Sequence, residues 1–318
     1  MATYKETVGT AVTNYAGDKP NAPNGELWYD STNKDFKYQV VSPTGAWATA
    51  NNMNDARDFM GTAGTQTAAL AFGGQPTPIM AKAESYNGTN WTNITDMNTP
   101  RRDFPGSGTQ TAALAIGGQT NPDAPTANVE LWNGSNWAEQ NNLNTGRRGA
   151  AGSGTSTSSL ASGGSQEGGA GTVASVESWN GSNWTETTDL NTARSAAFSG
   201  GAGASNTSQL VVTSSNTEQW NGSAWTEVAD LNTGRNAAAA GISTAAIATG
   251  GPPGSALTEL WNNSSWTEIA DLNTGRSALG AAGTTAAAVA MGGETPPGRV
   301  TTTEELTAPA TSIKTLTD

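Results

Sequence analysis

The chain has 318 residues, including 39 Gly, 14 Pro and 11 Trp, but no Cys and no His, and only 13% of it is charged. The missing residue types exclude disulfides, thiol nucleophiles, imidazole bases and the usual zinc or copper ligands, so neither a metal nor a cofactor is expected. Lys+Arg 15 against Asp+Glu 27 gives a net charge of −12, which repels nucleic acid and anionic lipid and offers no phosphate-neutralising stripe.

Residues 1–24 hold few large apolar groups and run into the turn-rich stretch Lys19-Pro20-Asn21-Ala22-Pro23-Asn24-Gly25, which predicts an arm outside the main fold. The opening MATYKETVGTAV lacks an apolar core of secretory length, and no later run approaches the ~20 apolar residues of a membrane span. Glu26 to Tyr29 and Phe36 to Val41 read as strands around the turn Asp30 to Asp35. From Trp47 onward one unit recurs. It is clearest as Trp-Thr-Glu-x-x-Asp-Leu-Asn-Thr-x-Arg at Trp184 to Arg194, Trp225 to Arg235 and Trp266 to Arg276, and looser at Trp47 to Arg57, Trp91 to Arg101 and Trp137 to Arg147. Successive Trp residues are 44, 46, 47, 41 and 41 positions apart, close to the ~40–50 residues of a four-stranded propeller blade. A helical solenoid of similar period competes, but it needs Leu, Glu, Lys and Arg at 3.6-residue spacing, and that pattern is absent.

Each unit divides into four predicted strands, a to d. Strand a follows the Arg (Asp58 to Thr62 in the first copy), and strand b is Thr-Ala-Ala-Leu-Ala-Phe-Gly-Gly at 67–74 with echoes at 111–118, 157–164, 244–251 and 285–293. Strand c is Glu-x-aromatic-Asn, starting at Glu84, Glu130, Glu177, Glu218 and Glu259, and strand d opens with the repeated Trp. Asn-Gly between c and d, at Asn87, Asn133, Asn180 and Asn221, predicts a tight hairpin with positive φ at both central positions, and Asn262-Asn263 replaces it in the fifth copy. Four of these turns also spell the glycosylation sequon, read here as turn chemistry. The fourth copy, Leu210-Val211-Val212-Thr213-Ser214-Ser215, lacks the Gly-Gly and shortens the b–c loop.

The Gly-Gly after strand b, the aromatic in strand c, the Trp opening strand d and the Arg before strand a together resemble the kelch repeat over about residues 25–306. That resemblance implies an all-β fold, a six-bladed kelch-like β-propeller at 25–306 with an N-terminal anchoring arm at 1–24. Residues 307–318 form a C-terminal tail or a closing strand. Trp47 is the favoured closing strand, because it retains the Trp and closure removes exposed sheet edges; a seventh blade is the alternative. The opening MATYKETVGT, with Gly25 to Asp30 and Phe36 to Gln39, is similar to the start of virion structural proteins from marine bacteriophages, including cyanophages. This second resemblance implies a non-enzymatic virion component, assembled in the host cytoplasm: a tail fibre or surface appendage, with a capsid decoration protein or a lectin-like carbohydrate-binding module as alternatives. Its expected partners are other virion proteins, reached through the arm, and a host-surface glycan or protein. Neither nucleic-acid binding nor membrane insertion is expected, and the chain is expected to be homo-oligomeric in the particle.

Alternation places the b–c and d–a connections on one face. The d–a segments are nearly constant, whereas the b–c loops vary, and variable loops on a constant scaffold suit recognition. Candidate binding residues in those loops are Gln75, Lys82, Gln119, Asn128, Gln166, Glu167, Pro252, Pro253, Glu294 and Arg299. Tyr4, Lys5, Trp28 and Tyr29 are candidates for virion docking. Arg57, Arg101, Arg147, Arg194, Arg235 and Arg276 predict a ring near the channel mouth, either attracting an anion or, as favoured, donating to carbonyls of adjacent blades. The six repeated Trp are read as core between blades before sugar platforms. Carboxylate pairs such as Asp55 with Asp58, or Glu304 with Glu305, could in principle cleave glycosides, but pairs this close in sequence are commonly solvated surface.

Overall fold

The computed structural model describes residues 12–19, 26–41, 45–75, 78–166, 171–195, 201–213, 216–307 and 311–316, and among these no residue is helical. Two compact units result: Met1–Gly45 with Ala308–Asp318, and Ala46–Thr307.

In the smaller unit, the hairpin read from the sequence forms between Leu27–Asp30 and Asp35–Val41. Thr13–Tyr15, within the predicted arm, pairs parallel to its first strand, and Thr311–Thr315 pairs antiparallel to its second. Asp30 anchors the turn. Although burial pushes its carboxyl up, the Lys37 ammonium at 2.9 Å and the amides of Gly17 and Thr32 hold it below the usual carboxylate range.

The larger unit contains six four-stranded antiparallel sheets among the described residues. Sheet I consists of Gly61–Thr65, Ala68–Phe72, Ala83–Tyr86 and Trp91–Ile94, strands a to d in order. Sheet II begins at Gly106, sheet III at Ala151, sheet IV at Gly201 and sheet V at Ala238, each built the same way. Sheet VI combines Gly280–Gly283, Ala287–Met291 and Thr303–Thr307 with Ala46–Ala50 from the start of the unit. Trp47, rather than the C-terminal tail, therefore supplies its last strand. These all-β sheets are consistent with a β-propeller.

The apolar core lies between the sheets. Sheets I and II share a cluster that includes Leu70, Phe72, Phe104 and Trp137. Equivalent clusters join II to III, III to IV, IV to V, V to VI, and VI back to I. Small residues set the spacing. A Cβ on Gly106 would sit 2.2 Å from the carbonyl oxygen of Thr62 in the neighbouring strand a, a distance no side chain tolerates, so only Gly permits that approach. The six a strands surround a cavity of about 160 Å³ lined by residues such as Ser107, Ser153 and Ala240.

Two local expectations change. Strand a starts at Gly61, not at Asp58, because Phe59 adopts φ 52° and interrupts the extended run; Asp58 instead bridges Gln75. The c–d connections of sheets I to V are four-residue loops, since Tyr86 pairs with Trp91 and its equivalents do the same. Only the Gly has positive φ (Gly88 84°, Gly134 93°), or Asn263 in the fifth copy. Asn87 uses its side chain: Oδ1 accepts the N–H groups of Thr89 and Asn90 at 3.0 and 2.8 Å, the Asx arrangement that competes with a primed turn.

Candidate functional site

The d–a segment enters each sheet carrying the repeated Arg, and strand c of that sheet offers a Glu. Arg57 meets Glu84 at 2.5 Å, Arg101 meets Glu130 at 2.9 Å and Arg147 meets Glu177 at 2.6 Å. Arg194 pairs with Glu218, Arg235 with Glu259 at 2.5 Å and Arg276 with Glu304 at 3.2 Å. All twelve side chains are buried. The same carboxylates accept backbone N–H groups of the d–a segment, as Glu130 does from Asn98 at 2.7 Å. Burial pulls the Arg57, Arg101, Arg147 and Arg276 guanidiniums down, and the paired Glu opposes that shift.

The link to the neighbouring sheet differs from the one expected. The Arg101 guanidinium donates to carbonyls of its own sheet, Gly117 at 2.9 Å and Asn128 at 2.5 Å. Its backbone carbonyl accepts from Gly74 of the preceding sheet at 2.8 Å. Gly118, Gly164, Gly251 and Gly293 repeat that bond to Arg147, Arg194, Arg276 and Arg57. Gly74 and its equivalents have positive φ, 98° at Gly74, so the Gly-Gly serves the joint between sheets. In the fourth copy Thr213 pairs directly with Asn216, which matches the short b–c loop expected.

The repeated Trp residues lie in the same joints. Trp91 Nε1 donates to Thr303 Oγ1 at 3.0 Å and Trp47 Nε1 to Thr258 Oγ1 at 3.2 Å, each across to the preceding sheet. Each of Trp91, Trp137, Trp184, Trp225 and Trp266 also faces the aromatic of strand c, at 4.9 Å for Tyr86 and Trp91 and 5.5 Å for Trp132 and Trp137. Glu, missed as a scaffold residue in the sequence, was legible there: in five of the six sheets it stands two places before the strand-c aromatic, and Leu306 takes that place after Glu304.

One residue beyond the repeated Arg the pattern breaks: Asp58, Arg102, Arg148, Ser195, Asn236 and Ser277 occupy that position. Two residues beyond it, Phe59, Asp103, Gly149 and Ala278 have φ between 51° and 60°. Their backbones connect sheet to sheet: Phe59 donates to Ala278 at 3.1 Å, Asp103 to Phe59 at 2.8 Å and Gly149 to Asp103 at 2.8 Å. Over sheets I to III this arrangement leaves a pocket of about 120 Å³ lined by Phe59, Arg102, Asp103, Gln119 and Arg148.

Gln119 Oε1 accepts from Arg102 Nε at 3.2 Å and Arg148 Nη1 at 3.1 Å. Arg102 also donates to the Gln75 side chain and, at 3.0 Å, to Asp123. Asp103 Oδ1 is buried and accepts no hydrogen bond. Burial pushes that carboxyl up to about 6, against the pull of Arg148 and Arg102.

Of the predicted loop residues, Gln119 lines this pocket and Gln75 accepts from Arg102 beside it. Arg299 donates to Asp58 at 2.8 Å, beside the Asp58–Gln75 bridge. Lys82 pairs with Asp55 at 2.7 Å, Asn128 caps Arg101 through its carbonyl, and the Gln166 N–H donates to the Gly171 carbonyl at 3.4 Å. Pro252, Pro253 and Glu294 are exposed; Glu167, Tyr4 and Lys5 lie outside the described residues. In the smaller unit Trp28 is buried and donates to Gly17 at 3.2 Å, and Tyr29 packs edge-on against Phe36 at 5.3 Å. The carboxylates considered for glycoside cleavage are engaged elsewhere: Asp55 and Asp58 as above, Glu304 with Arg276, and Glu305 with the Tyr86 hydroxyl at 2.9 Å. Arg102, Arg148 and Asp103 were not singled out in the sequence. The doublets Arg101-Arg102 and Arg147-Arg148 were the available signal.

No family model and no curated protein matches the sequence. Among solved structures, one described as "Structure of YjhT" is similar to 83% of this chain and 99% of its own, with a TM-score of 0.66 at 12% identity. A likeness at that identity concerns the fold alone.

Proposed function

We propose that the larger unit is a six-bladed, kelch-like β-propeller closed by the Trp47 strand, and that the chain is a non-enzymatic bacteriophage virion structural protein, a tail-fibre or surface-appendage component. The propeller presents its b–c face to the host surface or to a neighbouring virion protein. The smaller unit, with the N-terminal arm, docks on the particle. The supporting observation is the division of labour at the blade entrances. Every repeated Arg and strand-c Glu is buried in the scaffold, whereas side chains at the next position differ from blade to blade, and variation on a constant frame is where recognition resides. The virion assignment rests on the resemblance of residues 1–10, 25–30 and 36–39 to virion proteins. Copies repeated around a particle axis make weak individual contacts effective through multivalency.

Imaging of intact particles with a label on the C-terminus tests this reading, with density at an appendage as the expected result. A label found only in host cytoplasm, absent from particles, overturns it. Deleting residues 1–24 is expected to leave the propeller folded but excluded from particles; normal incorporation rejects docking by the arm.

A further inference from the structure

The pocket over sheets I to III has a chemical asymmetry that narrows its occupant. Asp103 lines it, and φ of 55° with backbone bonds to Phe59 and Gly149 fixes its Cα–Cβ direction. Its buried Oδ1 lacks a hydrogen-bond donor, an arrangement that costs free energy unless a ligand or water supplies one. Arg102 is held by Gln75, Gln119 and Asp123. Arg148, exposed, gives one Nη1–H to Gln119, and a guanidinium has five such donors. The pocket therefore juxtaposes an acceptor needing a donor with a donor able to take an acceptor.

An apolar guest leaves Asp103 unsatisfied, a simple anion meets its carboxylate, and a simple cation meets two guanidiniums. A hydroxyl group serves both sides, since it donates and accepts at once. Phe59 adds an apolar wall suited to the C–H face of a ring. About 120 Å³ is far more than the ~15 Å³ that one water needs.

We infer that this pocket binds a neutral hydroxylated ring, one hexopyranose residue of a surface glycan, with a ligand hydroxyl donating to the Asp103 carboxylate and accepting from Arg148. The inference rests on the b–c face being the recognition face, and it adds a site and a ligand class to that reading.

The test uses the full chain and saturation-transfer NMR with methyl glycosides of glucose, galactose and mannose, followed by an array of neutral glycans. Asp103→Ala and Arg148→Ala are each expected to weaken binding about tenfold or more, with melting curves recorded to verify folding. Exchange of the loop 252–256 for a short turn is expected to leave binding unchanged. A wild-type protein that binds no neutral sugar, or binding indifferent to both substitutions, overturns the inference. Binding that survives Asp103→Ala but is lost on exchanging the 252–256 loop rejects the pocket and keeps the recognition face. Failure of the virion reading appears separately, in particle imaging.

Discussion

Arg101 and Arg102 are consecutive, yet they belong to different layers of the molecule. Arg101 is buried against Glu130 and two carbonyls, and five other arginines repeat its role. Arg102 turns to the pocket, where Gln75, Gln119 and a largely exposed Asp123 hold it, and only Arg148 resembles it. A change of one residue in an extended segment reverses the side-chain direction, so the constant and variable layers of this protein are a single position apart. What distinguishes them is whether the partner is supplied by the repeat itself.

Removing a partner from the constant layer has the largest expected effect. Glu130→Ala leaves a buried guanidinium uncompensated and should cost about 3–5 kcal/mol, measured as a shift of the denaturant midpoint; a loss below about 1 kcal/mol breaks the comparison. Gly118→Ala attacks the joint between sheets at φ 105°, where a Cβ would lie 2.9 Å from the Arg102 carbonyl oxygen. The expected cost is about 1–3 kcal/mol, read by thermal unfolding, and an unchanged melting temperature contradicts the joint.

Asp103 predicts an effect of opposite sign. Its carboxyl is raised from 3.8 to about 6, so the folded state holds the proton more tightly than the unfolded one. Stability from that proton is complete below 3.8 and is lost as pH rises through about 6. Asp103→Asn should therefore stabilise the protein by about 1–2 kcal/mol at pH 7.5 and hardly at all at pH 3.5. Denaturant titrations at the two pH values decide it; equal effects at both reject a buried, unpartnered charge. Smallest of all is Arg102→Ala, expected within about 1 kcal/mol of wild type because its ion pair is with an exposed Asp123. A loss as large as that of Glu130→Ala would erase the distinction between the layers.

The sheets were legible because each strand announces itself locally. Thr-Ala-Ala-Leu-Ala-Phe-Gly-Gly carries its own β pattern and its own stop, and a repeat read six times averages out ambiguity. The c–d loops were legible in place but not in geometry, since Asn-Gly suits a primed turn as well as the Asx loop that forms, and the difference lies in the distance at which Tyr86 and Trp91 pair.

By itself, the sequence determined the all-β class, the four-strand period, the shortened b–c loop of the fourth copy and the favoured return of Trp47 to the last sheet, because these follow from residue type and spacing along the chain. Only the tertiary structure decided that Glu130 and its equivalents balance the buried arginines, that Gly74 bonds the carbonyl rather than the guanidinium of Arg101, and that Asp103 and Arg148 line one pocket. Those pairings join residues from different strands and different sheets, and which groups face one another is fixed by packing between sheets rather than by any pattern within one.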